Sequence, residues 1–109
     1  MSEGEPLIKT IKQAKMAARI LLIQRTKRKI GGVEQEWVFK RDLAEEGFKF
    51  SSINSFIDKL RKRKVLGLLY DSLENVKAIK YNESGVKRVE EELKELYETV
   101  RVLFTTSLI

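Results

Sequence analysis

The sequence contains no cysteine and no histidine. Without cysteine there is no disulfide framework and no thiolate nucleophile. Without histidine, the commonest general base and the commonest metal ligand are both missing. Sites built from carboxylates alone stay chemically possible, but no spacing of Asp and Glu signals one. There is one proline, and no low-complexity tract, internal repeat or linker breaks the chain. Long apolar runs are absent too: the stretch 20–23 is far too short to span a bilayer. The opening Met1-Ser2-Glu3-Gly4-Glu5 is acidic and polar, unlike a secretory signal. These features predict a soluble intracellular protein with no cofactor and no metal. They also speak against an enzyme. No glycine-rich phosphate loop and no paired acidic motif is present, and Glu90-Glu91-Glu92 would point in three directions around a helix.

A chain of 109 residues fits one domain, 1–109. Its net charge is +6, unevenly spread. Between Leu7 and Gly32 stand eight basic residues and no acid, and five of the six residues from Lys59 to Lys64 are basic. The segment 83–98 leans acidic. A polyanion would meet one side of such a molecule and be repelled by another. Charged residues at 35%, no cysteine and few Asn or Gln resemble the composition of a thermophile's protein.

Pro6 suits the first turn of a helix, and Ile30-Gly31-Gly32 suits its end, so a first helix is predicted over 7–29. At 100° per residue Leu7, Ile11, Ala14, Ala18, Leu21 and Leu22 share a face, while Met16, Ile20 and Ile23 form a stripe nearly opposite. A helix apolar on two sides needs cover on two sides. One cover is the domain core. The other is the C-terminal helix or a second subunit. The final helix, predicted over 82–104 and capped by Asn82 or Ser84, spaces Val86, Val89, Leu93, Leu96, Val100 and Leu103 alternately by three and four. That is a heptad seam of about two and a half repeats, widened by Tyr97 and Phe104. Packing on its own domain would use the same seam. Its regularity favours a homodimer, with Met16, Ile20, Ile23 and the seam residues at the interface.

Between these helices, 40–46 reads as a short polar helix ending at Gly47. A second helix, 51–64, gathers Ile53, Phe56, Ile57 and Leu60 within about 100° of arc, facing inward. Its opposite face holds Ser51, Asn54, Ser55, Asp58, Lys59 and Lys62, with Arg61 at the margin. Ser52 lies at its start, and Arg63 and Lys64 close the basic cluster. Short polar groups precede long cations, a gradient suited to duplex DNA. Asn and Ser can bond base edges, the helix start favours a phosphate and the cations neutralise flanking phosphates. A solvated charged face would read the same way, and a basic helix end also suits the helix dipole. The order of the surrounding elements tips the balance. The segment 33–38 supplies a connector with a short strand, and Trp37 and Phe39 pack beneath the fold. Runs 65–70 and 76–81, joined by polar 71–75, form a hairpin. Lys77 and Lys80 lie just past its tip, where Asp71 and Glu74 disfavour phosphate. Lys9, Lys12, Lys15, Arg19 and Lys27 of the first helix either lengthen the basic footprint or form a solvated face.

Residues 40–47, then 51–66, then Tyr81-Asn82-Glu83-Ser84-Gly85 resemble the winged-helix DNA-binding domains, particularly small archaeal ones. There the last strand ends in an aromatic residue, and a polar residue and a glycine open a final dimerising helix. The likeness covers about residues 9 to 103. It implies a mainly α protein with a small β-hairpin wing (α+β), a winged helix-turn-helix with long N- and C-terminal helices: helix-turn-helix 39–64 and wing hairpin 65–81. The implied partner is double-stranded DNA, bound by a homodimer that inserts helix 51–64 into the major groove. The implied role is a nucleoid-associated transcriptional regulator or chromatin factor. The alternative is an adaptor that meets an acidic protein in a transcription or replication assembly. No membrane and no small-molecule ligand is implied. The chain departs from the common pattern in its turn, where Leu43 rather than a small residue stands four positions before Gly47.

Overall fold

A computed structural model describes residues 5–108, and all of their side chains except those of 100 and 102–108. In chain order they form α1 (Ile11–Gly31), a 3-10 turn (Val33–Gln35), β1 (Val38–Phe39), α2 (Lys40–Glu45), α3 (Phe50–Lys62), β2 (Leu66–Tyr70), β3 (Val76–Tyr81) and α4 (Glu83–Leu108). The fold is mixed α+β, with four α-helices and a three-stranded antiparallel sheet in the order β1-β3-β2. Leu66 pairs with Tyr81, and Val38 with Ile79. One core joins all layers: Leu7, Met16, Ile20, Leu43, Ile53, Leu60, Ile79 and Val89 are fully buried within it.

The first helix begins at Ile11, four residues later than predicted. Thr10 caps it, its hydroxyl accepting from Gln13 N at 3.0 Å. The Gln13 carboxamide reaches back to Lys9 N at 2.8 Å. Thr10 to Gln13 carries the capping-box spacing, with the return bond made one residue earlier, to Lys9 rather than to the cap itself. Pro6 therefore precedes the helix in a segment laid across the fold. The Glu92 carboxylate accepts from both Leu7 N and Ile8 N at 2.9 Å, holding that segment against α4. Gly32, at φ +87°, ends the helix as expected.

The buried side of α1 takes in both predicted stripes in part: Ala14 and Leu21 of the first are buried, and so is most of the second. Met16 and Ile20, expected at a dimer interface, are 2% and 0% exposed inside the single chain, and Ile23 packs against the same core. Ile11 and Leu22, expected inward, are exposed. The buried arc runs from Met16 and Ile20 through Ala17 and Gln24 to Leu21 and Ala14. Its centre holds an alanine and a glutamine, so the two apolar stripes are the flanks of one wide buried band. Two covers are indeed needed, and α4 of the same chain supplies part of the second. The Arg25–Glu90 pair at 2.5 Å joins the two helices.

Gln24 is buried for a specific reason. Its carboxamide accepts from Tyr81 N at 2.7 Å and donates to Tyr81 O at 3.1 Å. Strand β1 reaches only Ala78 and Ile79 of its neighbour. Beyond that point the Gln24 amide takes the place of the missing strand residue and satisfies both backbone groups. The Tyr81 phenol donates to Ala17 O at 2.9 Å, and burial raises its pKa well above the ordinary tyrosine value.

The start of α4 is a tight joint. Asn82 N donates to Val65 O and its side-chain amide donates to Lys64 O, both at 3.0 Å, while its side-chain carbonyl accepts from Gly85 N at 2.8 Å. A Cβ on Gly85 would stand 2.2 Å from Val65 O, a backbone atom that cannot step aside alone. Gly85→Ala is therefore expected to destabilise the protein by about 1–3 kcal/mol, the usual scale of overpacking. That exceeds the roughly 1 kcal/mol that alanine gains over glycine in a helix. Urea unfolding checks it, and an unchanged or raised midpoint would contradict the joint.

The α4 seam divides in two. Val86, Val89 and Leu93 were expected at a dimer interface, but Val89 is fully buried and the other two pack on the core of their own chain. A core face and a dimer face both prefer the same heptad spacing, so the pattern alone does not separate them. Leu96 and Tyr97 lie beyond the core, 38% and 66% exposed. Val100, Leu103 and Phe104 lie outside the described side chains. The radius of gyration, 15.0 Å, exceeds the roughly 13 Å of a compact chain this long. A helix of 26 residues is about 39 Å long, and residues 94–99 of it are exposed.

Candidate nucleic-acid interface

Helix α3 is placed by two turns. Gly47 at φ +99° ends α2 and re-aims the chain. Lys64 at φ +60° turns it again into β2, held through its carbonyl by Asn82. Leu43 and Phe48 pack the turn from below, so the larger residue at position 43 is accommodated in the core. The helix runs Phe50–Lys62, against the predicted 51–64. Arg63 and Lys64 belong to the turn that follows it.

The rotation of α3 agrees with its sequence. Ile53, Phe56, Ile57 and Leu60 are buried. At about 1.5–3 kcal/mol for each such side chain, turning that face outward would cost most of a small domain's stability. Ser51, Asn54, Ser55, Asp58, Arg61 and Lys62 are exposed on the other side. Phe50, not anticipated as a contact, is 55% exposed at the helix start, where an apolar ring can meet a thymine methyl group. Two adjacent aromatics around the turn, Phe48 and Phe50, were its sequence signal: one goes to the core and the other stays out. Asp58 lies 3.6 Å from Arg61 and sets a negative charge on the same face.

Lys59 and Ser52 turn aside from this face. Both line a groove of about 500 Å³ between α3 and the start of α1, with Thr10, Lys12, Gln13 and Ser51. Lys59 Nζ donates to Gln13 Oε1 at 3.3 Å. Its pKa lies below the usual lysine value, chiefly because of burial and then because of the nearby Lys9. The groove is rich in hydroxyls and holds two cations, a suitable seat for a phosphate oxygen. Its α1 half was visible only as part of a charge run, because Thr10 and Gln13 act here through the cap that positions them.

The basic residues are unequally available. Arg63 donates to Glu5 O at 2.6 Å and is drawn toward the N-terminal segment. Arg61, Lys62, Lys64 and, at the hairpin, Lys77 are exposed. Lys80 is engaged elsewhere, 3.1 Å from Glu36 and over the Trp37 ring. Lys27 is also engaged: it donates to Asp42 at 2.7 Å and to Trp37 O at 2.9 Å. Arg19 pairs with Glu46. Lys27 and Arg19 therefore serve the fold, while Lys12 and Lys15 stay exposed. At the hairpin tip Asp71 accepts from Leu73 N and Asn75 N at 2.8 and 3.0 Å, so this acid shapes the loop. Glu90, Glu91 and Glu92 do diverge: the first meets Arg25, the second is exposed and the third holds residues 7 and 8. Among the described residues no acidic cluster could hold a metal ion, and no helix is long and apolar enough to cross a membrane. No family model, curated protein or solved structure matches the chain.

Proposed function

We propose that this chain is a winged-helix DNA-binding protein that inserts α3 into the major groove and acts as a homodimer in transcription regulation or nucleoid organisation. The observation that carries the reading is the rotation of α3: apolar residues inward, Ser51, Asn54, Ser55, Arg61 and Lys62 outward. The order of elements supports it, since a turn at Gly47 leads into α3 and a two-stranded hairpin follows as the wing. In this reading Asn54 and the serines meet base edges. Arg61, Lys62 and Lys64 meet phosphates on one side, and the groove holding Lys12 and Lys59 receives the strand on the other. Lys77 adds a contact beside the wing. The exposed Leu96 and Tyr97 of α4 pair with a second copy and set two α3 helices about one DNA turn apart.

The test is a mobility shift on random and on selected duplexes at two salt concentrations. About four phosphates neutralised per monomer give a log–log salt slope near −3.5. Asn54→Ala is expected to remove discrimination between the duplexes by about 1–3 kcal/mol while leaving affinity for random DNA in place. A slope near zero would refute the reading and leave the protein-adaptor alternative. Tyr97→Glu, at a site 66% exposed in the single chain, is expected to give a monomer in sedimentation with its fold intact. A dimer unchanged by it would place the pairing elsewhere.

A further inference from the structure

Helix α3 opens on Phe50, which is 55% exposed. Of the other phenylalanines with described side chains, Phe56 is buried, and Phe39 and Phe48 are half-buried. Phe50 is the one whose ring stands mainly in solvent. Single exposed apolar residues are ordinary, so exposure alone assigns nothing. Its place on the helix says more. At 100° per residue Phe50 lies about 40° from Asn54 and about 20° from Arg61, and both of these are exposed. Ser52, Ser55 and Lys59, which line the groove toward α1, lie about 140–200° round the helix from it. The ring therefore shares the flank of α3 that carries Asn54, and stands away from the groove that receives the DNA strand.

What the ring would meet follows from this placement, and rests on the DNA-binding reading proposed above. Side chains one turn apart on a helix have Cβ atoms about 5–6 Å apart, and successive bases of a strand are about 3.4 Å apart. Phe50 and Asn54 thus reach base pairs about one or two steps from one another. Guanine, adenine and cytosine show the major groove only donors and acceptors. A phenyl ring set against them displaces their water and returns no hydrogen bond, which costs free energy. The C5-methyl group of a pyrimidine is the one apolar feature there. Thymine carries it in unmodified DNA, and 5-methylcytosine carries it in methylated DNA. Asn54 in turn suits adenine, whose N6 and N7 its amide can bond together. We propose that Phe50 reads a pyrimidine C5-methyl group about one or two base pairs from the adenine held by Asn54, so that the two residues together specify the half-site.

The test uses the full chain and its selected duplex. Each thymine is replaced in turn by deoxyuridine, which keeps the base pair and removes only the methyl group. A thymine about one or two pairs from the adenine that Asn54 reads is expected to respond, with affinity falling about fourfold, the effect of burying one methyl group less. Phe50→Ala is expected to bind the thymine and deoxyuridine duplexes equally. It should keep the parent's salt slope, which reports that fold and phosphate contacts are intact. Phe50→Leu should retain part of the preference. A C·G pair at the responsive position, with and without the 5-methyl group, separates the two sources. A gain from methylating that cytosine makes either base the source, no gain restricts the contact to thymine, and both results uphold it. Salt-dependent duplex binding in which no thymine responds, or a preference that survives Phe50→Ala, overturns the assignment and leaves the DNA-binding reading standing. If no duplex binds at all, both fall. Single-stranded DNA held as tightly as the duplex and released by Phe50→Ala also overturns it, since the ring would then stack on unpaired bases.

Discussion

Replacing Arg61, Lys62 and Lys64 together by alanine is expected to lower affinity for duplex DNA by about two to three decades at 0.1 M salt, and to flatten the salt dependence by about 0.9 per phosphate contact removed. Both figures come from one source. Counterion release makes log K fall with log salt in proportion to the phosphates neutralised. At 0.1 M each contact is then worth just under a decade relative to the 1 M reference. Three lost contacts move the slope and the intercept together. The three residues suit the experiment because their side chains are exposed, and the turn at Lys64 is held through its backbone carbonyl, which alanine keeps. Arg61 has an exposed partner in Asp58 at 3.6 Å, a pair of small stabilising value. Arg63 is left in place because it reaches Glu5 O. The loss should be nearly equal for selected and random duplexes, in contrast to Asn54→Ala. A full-strength complex with an unchanged slope would show that the basic end of α3 faces something other than phosphate.

The same residues show where the fold was legible in the sequence. Helix α3 could be read because its buried face is narrow and wholly apolar: four residues share an arc of about 100° and every other position is polar or at the margin. The hairpin was legible because β2 and β3 are short apolar runs divided by turn formers, and Asp71 closes that loop through backbone bonds. Helix α1 was misread in phase because it is buried over a wide band whose centre, Ala17 and Gln24, looks weakly apolar or polar. A periodicity argument finds the flanks of such a band and misses its middle. Its start was misplaced because Pro6 outweighed Thr10 and Gln13, although they stand at capping-box spacing. For the candidate site, the outward face of α3 was readable from periodicity. The engagement of Lys59, Lys80 and Lys27 was not, because their partners lie 10 to 46 residues away in sequence. Charge runs state the supply of cations. Only the packed chain states which remain free for a ligand.

Gln24→Leu is expected to remove about 2–4 kcal/mol of stability, a large part of what a domain this size has. Leucine fits the volume and adds apolar burial, which returns a kilocalorie or two. It leaves Tyr81 N and Tyr81 O without the bonds of 2.7 and 3.1 Å that Gln24 provides. A buried backbone group without a partner costs about 1–3 kcal/mol, and here there are two. Strand β1 cannot compensate, since its pairing stops at Ile79. Gln24→Glu separates the lost hydrogen bonds from any change of shape. An ionised carboxylate accepts from Tyr81 N but faces Tyr81 O with no proton to donate, and it is buried. Burial raises its folded-state pKa above the unfolded value of about 4.3. The unfolded chain then binds fewer protons than the folded one between the two pKa values, so stability falls as pH rises through that window. The variant should be weak at pH 7 and recover as pH is lowered toward 5, when the protonated carboxyl can donate to Tyr81 O as the amide does. Gln24→Leu should show no such recovery. Urea unfolding of both variants at the two pH values measures it. A Gln24→Leu variant as stable as the parent would show that the end of β3 finds its partners without this side chain, and that α1 is not what fixes the strand beside α3.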